Sequence, residues 1–321
     1  MTGRAGAPPL LAAVLVALLG CGHARASAAS GADAATGGDV VSVGSYASAN
    51  PGSVNTFWVE TRHGVVVIDG QRTLSDAGRA LARVRALGKP ILAIFLTHSH
   101  PDHYGGIGVF AAAAPGAPLY ASQITRDIVA GDVLGYSAAT NQQLGDDYPD
   151  RATAPTAIVR DGDRIEIDRV TFETIEVGAG EAASATVVIV PAARIAFVGD
   201  TISDRATPAL IQGMSLAWVG QLDVLARRFA GLRTIYPGHG QAGPPADLIA
   251  RQRDYLLTFR RLVNEHREPN GTIGAEGARA VVAAMEAHYP GYPPVAALPD
   301  LLQFNIAVVA RELAGLGAIE K

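Results

Sequence analysis

Between residues 98 and 103 the chain reads His-Ser-His-Pro-Asp-His, four potential metal ligands in six positions. The run follows a short apolar stretch, 91–96, whose length predicts a buried strand. A strand that hands over to a helix through such a turn sends His98 and His100 to one side and Asp102 and His103 to an adjacent position. Imidazole and carboxylate donors together suit Zn2+ or a similar divalent ion. One loop of this kind can serve two ions ~3.5–4 Å apart. Three of the eight histidines fall in this window. A solvated helix start capped by Asp102 accounts for them poorly.

Composition narrows the alternatives. Hydrophobic residues make up 49% of the chain and charged residues 17%, which excludes a disordered polypeptide. A single cysteine excludes a disulfide framework and a Cys-rich zinc module, so metal binding must rest on His and carboxylate. The formal net charge of −4 offers no basic excess for phosphate, so nucleic acid is not an expected partner.

The one cysteine also has a telling position. Arg4, an apolar run over 10–19 and a small-residue stretch over 21–30 read as an export signal. That run is well short of the about 20 apolar residues of a membrane span. Leu18-Leu19-Gly20-Cys21 resembles a bacterial lipobox, in which Cys21 would become the lipidated first residue. Cleavage after Ala24-Arg25-Ala26 is the competing reading. Both place the mature protein outside the cytoplasm, periplasmic or extracellular, with membrane anchoring only through Cys21.

Beyond a linker over 27–38, strands are expected at 40–46, 56–60, 65–68, 91–96, 118–121, 164–167, 170–176, 186–190, 194–198 and 234–236. Helical spacing covers 75–87, 216–229 and 245–266, and most of 274–316 apart from a break at 289–294. No internal repeat is visible. Two batches of strands, each followed by helices, predict an α/β domain with two sheets packed face to face. The expected organisation is an export signal and linker at 1–30, a domain over 38–270, and a helical extension over 271–321 packed on it.

His-x-His-x-Asp-His followed by Gly-Gly resembles the signature of the metallo-β-lactamase superfamily, and the likeness runs from about residue 40 to 270. Val67-Ile68-Asp69-Gly70 looks like its first motif, in which Asp69 supports the metal loop from behind. Phe197-Val198-Gly199-Asp200 looks like its fourth, with Asp200 bridging both metals, and Tyr236-Pro237-Gly238-His239-Gly240 like its fifth, with His239 on the second metal. The resemblance implies a four-layer αββα sandwich with a helical C-terminal tail. It also implies about two Zn2+ per chain, held by His98, His100, Asp102, His103, Asp200 and His239.

One motif departs. Where the superfamily usually places a third His for the first metal, this chain carries Glu181. Glu181 either ligates through oxygen or faces solvent and leaves the first site weak. As a ligand it would make the site harder and lower the metal's Lewis acidity, so Mn or Fe becomes more acceptable.

The resemblance implies a metallo-hydrolase in which an activated hydroxide attacks an ester, lactone or amide-like bond of a small-molecule substrate. Asp102 and Asp200 are its catalytic carboxylates. A β-lactamase, a non-catalytic metal- or ligand-binding protein of the same fold, and a mononuclear iron oxygenase are the alternatives. Tyr104 and Trp218 are weak substrate-binding candidates, and Tyr136 and Tyr148 are further candidates for the wall of a cleft.

Overall fold

Residues 65–68 are all buried and divide by alternation: Val65 and Val67 join one apolar cluster, Val66 and Ile68 another. A strand with two buried faces must lie inside a layered structure. The computed structural model, which describes residues 40–49, 52, 54–298 and 300–316, has that arrangement. β1 (Val40–Ala47), β2 (Asn55–Thr61) and β3 (Val65–Ile68) form an antiparallel meander. Helix α1 (Leu74–Arg85) then crosses to β4 (Ile91–Phe95), parallel to β3. Thr73 caps α1 by accepting the Asp76 N–H at 3.1 Å.

The short helices α2 (Pro101–Tyr104) and α3 (Ile107–Ala113) lead to β5 (Leu119–Ala121). Then come α4 (Gln123–Gly131), α5 (Tyr136–Leu144) and the two-residue β6 (Ala157–Ile158), which completes a six-stranded sheet in the order β1 to β6. The second sheet pairs β7 (Arg164–Ile167), β8 (Val170–Glu176), β9 (Thr186–Val190) and β10 (Ile195–Gly199) antiparallel. Helix α6 (Ser215–Arg228) returns the chain to β11 (Thr234–Pro237), parallel to β10. Three helices follow, α7 (Pro245–His266), α8 (Ala275–His288) and α9 (Leu301–Leu313).

The buried side chains show how these layers stack. Phe57, Val66, Ile68 and Phe95 of the first sheet meet Phe172, Val188, Val190 and Phe197 of the second. The outer face of the first sheet packs on α1 and α3 through Leu81, Val84, Ile107 and Phe110. The outer face of the second packs on α6 and α7, and α8 and α9 add Val281, Met285, Ile306 and Val309 to that same cluster. The result is an αββα sandwich with a helical C-terminal region.

Two differences from the sequence reading stand out. The stretch 122–163 has no element in that reading, yet it contains α4, α5 and β6. Its helices bury few apolar side chains, and in α5 the buried positions are Ser137 and Thr140, so no apolar period marks them. The second difference concerns the aromatic candidates. Trp218, Tyr104 and Tyr148 are 0%, 2% and 2% exposed and belong to the apolar clusters, so none of them walls a cleft.

Trp218 donates its indole N–H to the Thr201 carbonyl at 2.7 Å, tying α6 to the residue after Asp200. Trp218→Ala is expected to cost about 3–5 kcal/mol by opening a cavity. It should lower the melting temperature by about 10 °C, readable by calorimetry.

Candidate metal centre

The candidate ligands all lie where strands end. The segment from Thr97 into α2 follows β4, Asp200 follows β10 and His239 follows β11, with their support Asp69 after β3. Glu181 sits on the loop joining β8 to β9. The Thr186 N–H donates to the Thr97 carbonyl at 2.8 Å, and His98 bridges Ala185, so the ends of the two sheets are stitched together at the site.

Seven side chains form two adjoining clusters. His98, His100, Glu181 and Asp200 make the first; Asp102, His103, Asp200 and His239 make the second. In the first, His98 Nε2 and His100 Nδ1 face each other at 3.1 Å, and Glu181 Oε1 lies 3.0 Å from His100 Nδ1. Glu181 Oε2 is 3.6 Å from His98 Nε2. In the second, His239 Nε2 is 3.1 Å from both Asp102 Oδ2 and Asp200 Oδ2, and His103 Nε2 is 3.2 Å from Asp200 Oδ1. Asp200 belongs to both. Glu181 therefore points into the first cluster and does not face solvent, being 2% exposed.

These atoms suit a divalent cation. Both Glu181 oxygens, Asp200 Oδ1 and His103 Nε2 are buried and make no well-aligned hydrogen bond among the described residues, their near polar neighbours being the other members of the clusters. Buried polar atoms are normally satisfied, and a metal ion satisfies nitrogen and oxygen lone pairs converging from several directions. Comparison with known proteins agrees. The sequence profile of the metallo-beta-lactamase superfamily matches residues 49–247, well over half of the chain. This chain belongs to the metallo-β-lactamase superfamily.

Solved structures of the superfamily share the fold. A metallo-beta-lactamase from Pontibacter korlensis aligns with a TM-score of 0.54 and 21% identity, over 67% of this chain and 94% of that one. The DIM-1 metallo-beta-lactamase aligns with a TM-score of 0.54 and 19% identity, over 67% and 93%. Curated relatives match shorter stretches. The uncharacterized protein YobT of Bacillus subtilis is 35% identical over 79 residues, 25% of this chain and 34% of its own. A hydroxyacylglutathione hydrolase of Xylella fastidiosa is 38% identical over 64 residues, 19% of this chain and 25% of its own. The chain thus aligns with well under half the length of either.

Residues behind the ligands hold this superfamily site in place, some expected from the sequence and some not. Asp69, which that reading placed behind the metal loop, accepts the Thr97 N–H at 2.8 Å and the Thr97 hydroxyl at 2.9 Å, and lies 2.8 Å from His103 Nδ1. Occupying His103 Nδ1 in this way leaves Nε2 for the cluster. Asn55 is new: its amide donates to the carbonyls of Pro237 and Gly240 at 3.0 and 2.9 Å, gripping the turn that carries His239. An Asn opening a buried strand was the available signal, since Asn is depleted in strands.

The Glu181 loop is clamped from two sides. Glu176 accepts the Gly178 N–H and the hydroxyls of Ser184 and Thr186, while the Gln221 amide donates to the carbonyls of Val177 and Gly178. Gly238 is required by space, because a Cβ there would run into the Asp200 carboxylate and the His103 ring.

Without metal the carboxylates hold protons on His100, His103 and His239. Burial alone would lower the pKa of His239, but Asp200 and Asp102 lift it from its ordinary 6.5 to about 10. His103 is raised well above the ordinary range against the same burial, by Asp200, Asp69 and Asp102. Burial holds His98 neutral, helped by the charges of His103 and His100. Burial pushes Glu181 upward.

A group whose pKa rises on folding stabilises fully below its unfolded pKa and loses that effect as pH climbs to the folded one. Chelated protein should therefore lose thermal stability between about pH 6.5 and 10, whereas metal-loaded protein, with no protons there to lose, should not. Melting temperatures taken with and without EDTA across that range check this. A flat or rising chelated curve contradicts it.

Proposed function

We propose that this chain is an exported metal-dependent hydrolase acting on an ester, lactone or amide-like bond of a small molecule. The observation that carries the reading is the pair of buried clusters sharing Asp200. Zinc is the ion the mixed imidazole and carboxylate set suits best, one in each cluster, and Glu181 leaves the first open to Mn or Fe.

A divalent ion held there would lower the pKa of water and polarise an acyl carbonyl. The chain's own residues supply the rest. His98, His100 and Glu181 would hold an ion on one side and Asp102, His103 and His239 on the other, with Asp200 common to both sets. Asp102 has the most open carboxylate of the set, 13% exposed, with Oδ2 directed at His239. Its carboxylate would take the proton of the attacking water and return it to the leaving group. Burial of the other ligands keeps bulk water from screening the site.

Two full clusters favour this reading over a one-iron oxygenase, which would leave the second without a role. The inward position of Glu181 weakens the motive for a non-catalytic reading. A zinc-loaded sample should be offered a chromogenic ester, a lactone, a glutathione thioester and a cephalosporin. The expected result is turnover of at least one, lost on chelation and restored by metal. A fully loaded protein that hydrolyses none overturns the reading.

Residues 1–39 lie outside the described residues, so export rests on sequence alone. Among the described residues no helix is long and apolar enough to cross a membrane. The N-terminal residue of protein recovered from cells decides the point. A lipidated Cys21 or a free Ser27 supports export, and an intact Met1 opposes it.

A further inference from the structure

The break in the helical tail, Tyr289-Pro290-Gly291-Tyr292-Pro293-Pro294, supplies no member of either cluster, and its composition dictates a shape. Pro290 has the fixed φ that suits the second position of a β-turn, and Gly291 takes the left-handed φ of 74° that the third position of a type II turn requires. The Tyr292 N–H closes the turn on the Tyr289 carbonyl at 3.4 Å. The two tyrosine rings at its ends are thereby brought to 5.4 Å, centroid to centroid. Tyr255 of α7 meets both, 4.7 Å from Tyr289 and 6.2 Å from Tyr292. Asp254 accepts the Tyr289 hydroxyl at 2.8 Å, and the Thr207 hydroxyl donates to the Tyr292 carbonyl at 3.3 Å, so the turn is held from two sides.

All three rings line a cavity of about 590 Å³, within the ~300–1,000 Å³ of small-molecule sites. Met285 of α8 and Leu301 of α9 add apolar wall. Its charged residues are Glu286, one turn before Tyr289, and Asp300, at the start of α9; both are exposed. The Asp300 side chain makes no capping bond to α9, so its carboxylate is not spent on the helix. Among the described residues no Lys, Arg or His lines the cavity. Of its described lining residues Thr207 alone falls within 49–247, the span that matches the superfamily, so the cavity is an elaboration of the C-terminal region.

Aromatic faces carry a negative quadrupole and attract cations, most strongly cations that give up little hydration. A quaternary ammonium has no N–H to leave unsatisfied against an apolar wall. An anion would meet two like charges and no cation, and an uncharged ligand would gain nothing from the carboxylates. We propose that this cavity binds a small organic cation, its ammonium group seated against Tyr255, Tyr289 and Tyr292 and its charge balanced by Glu286 and Asp300. The site is separate from both metal-binding clusters and stands or falls independently of the hydrolase reading.

Choline is the probe, titrated calorimetrically into the zinc-loaded chain. Its control is the alcohol in which a tert-butyl group replaces trimethylammonium, which keeps the shape and removes only the charge. Saturable choline binding is expected, with the alcohol weaker by about tenfold or more. Tyr292→Leu removes one aromatic face and should weaken choline about tenfold, whereas Tyr292→Phe should bind like the parent, because the ring and not the hydroxyl carries the attraction. Glu286→Gln should weaken choline and leave the alcohol unchanged. Glu286 is exposed, so this variant decides the matter should Tyr292→Leu fail to fold. Metal content should stay constant throughout. No saturable choline binding, equal affinity for choline and the alcohol, or parent-like choline affinity in folded Tyr292→Leu overturns the proposal.

Discussion

Asp200→Ala is expected to strip metal from both clusters and to lower kcat/KM by about a thousandfold or more. No other residue belongs to both ligand sets. Its Oδ1 lies 3.2 Å from His103 Nε2, and its Oδ2 lies 3.1 Å from His239 Nε2 and 4.0 Å from His98 Nε2. Removing it also leaves buried histidines without the charge that steadies them, so the loss cannot be recovered by raising the metal concentration modestly. Metal content and hydrolysis should fall together. Asp223, an exposed partner of Arg253 on α6, is the control, and Asp223→Ala should change neither. Full metal occupancy in Asp200→Ala would contradict the shared-ligand arrangement.

The second large effect belongs to Glu181, and its two substitutions should move in opposite directions. Glu181→Ala removes the only non-shared carboxylate of the first cluster and should leave about one metal per chain, held by Asp102, His103, Asp200 and His239. Glu181→His replaces an anionic oxygen donor by a neutral nitrogen, which zinc favours and which relieves the repulsion between Glu181 and Asp200. Zinc affinity at the first cluster should rise by about tenfold, with manganese and iron losing ground. Competition against a fluorescent chelator measures both. Unchanged zinc affinity and content in both variants would remove Glu181 from the ligand set.

The parts of the site legible in the sequence were those fixed by local chain geometry or carried by a motif. His98, His100, Asp102 and His103 are close in sequence, whereas Asp69, Asp200 and His239 were legible through the resemblance, each in a motif that closes a strand. The alternation of Val65 to Ile68 and the cap-to-stop length of α1 were legible from local chain geometry. The inward direction of Glu181 was not, because it depends on Glu176 in β8 and Gln221 in α6, which approach its loop only after the layers pack. The insertion that carries Tyr136 was invisible because α5 buries Ser137 and Thr140 where a helical pattern would show apolar residues.

The central claim is that two metal-binding clusters share Asp200, and counting the metal bound per chain tests it most directly. Protein purified without chelator, loaded with zinc and freed of excess by gel filtration should carry two equivalents by mass spectrometry. Asp200→Ala should carry none and Glu181→Ala one. A parent chain that holds no zinc, or an Asp200→Ala chain that still holds two, would contradict the account.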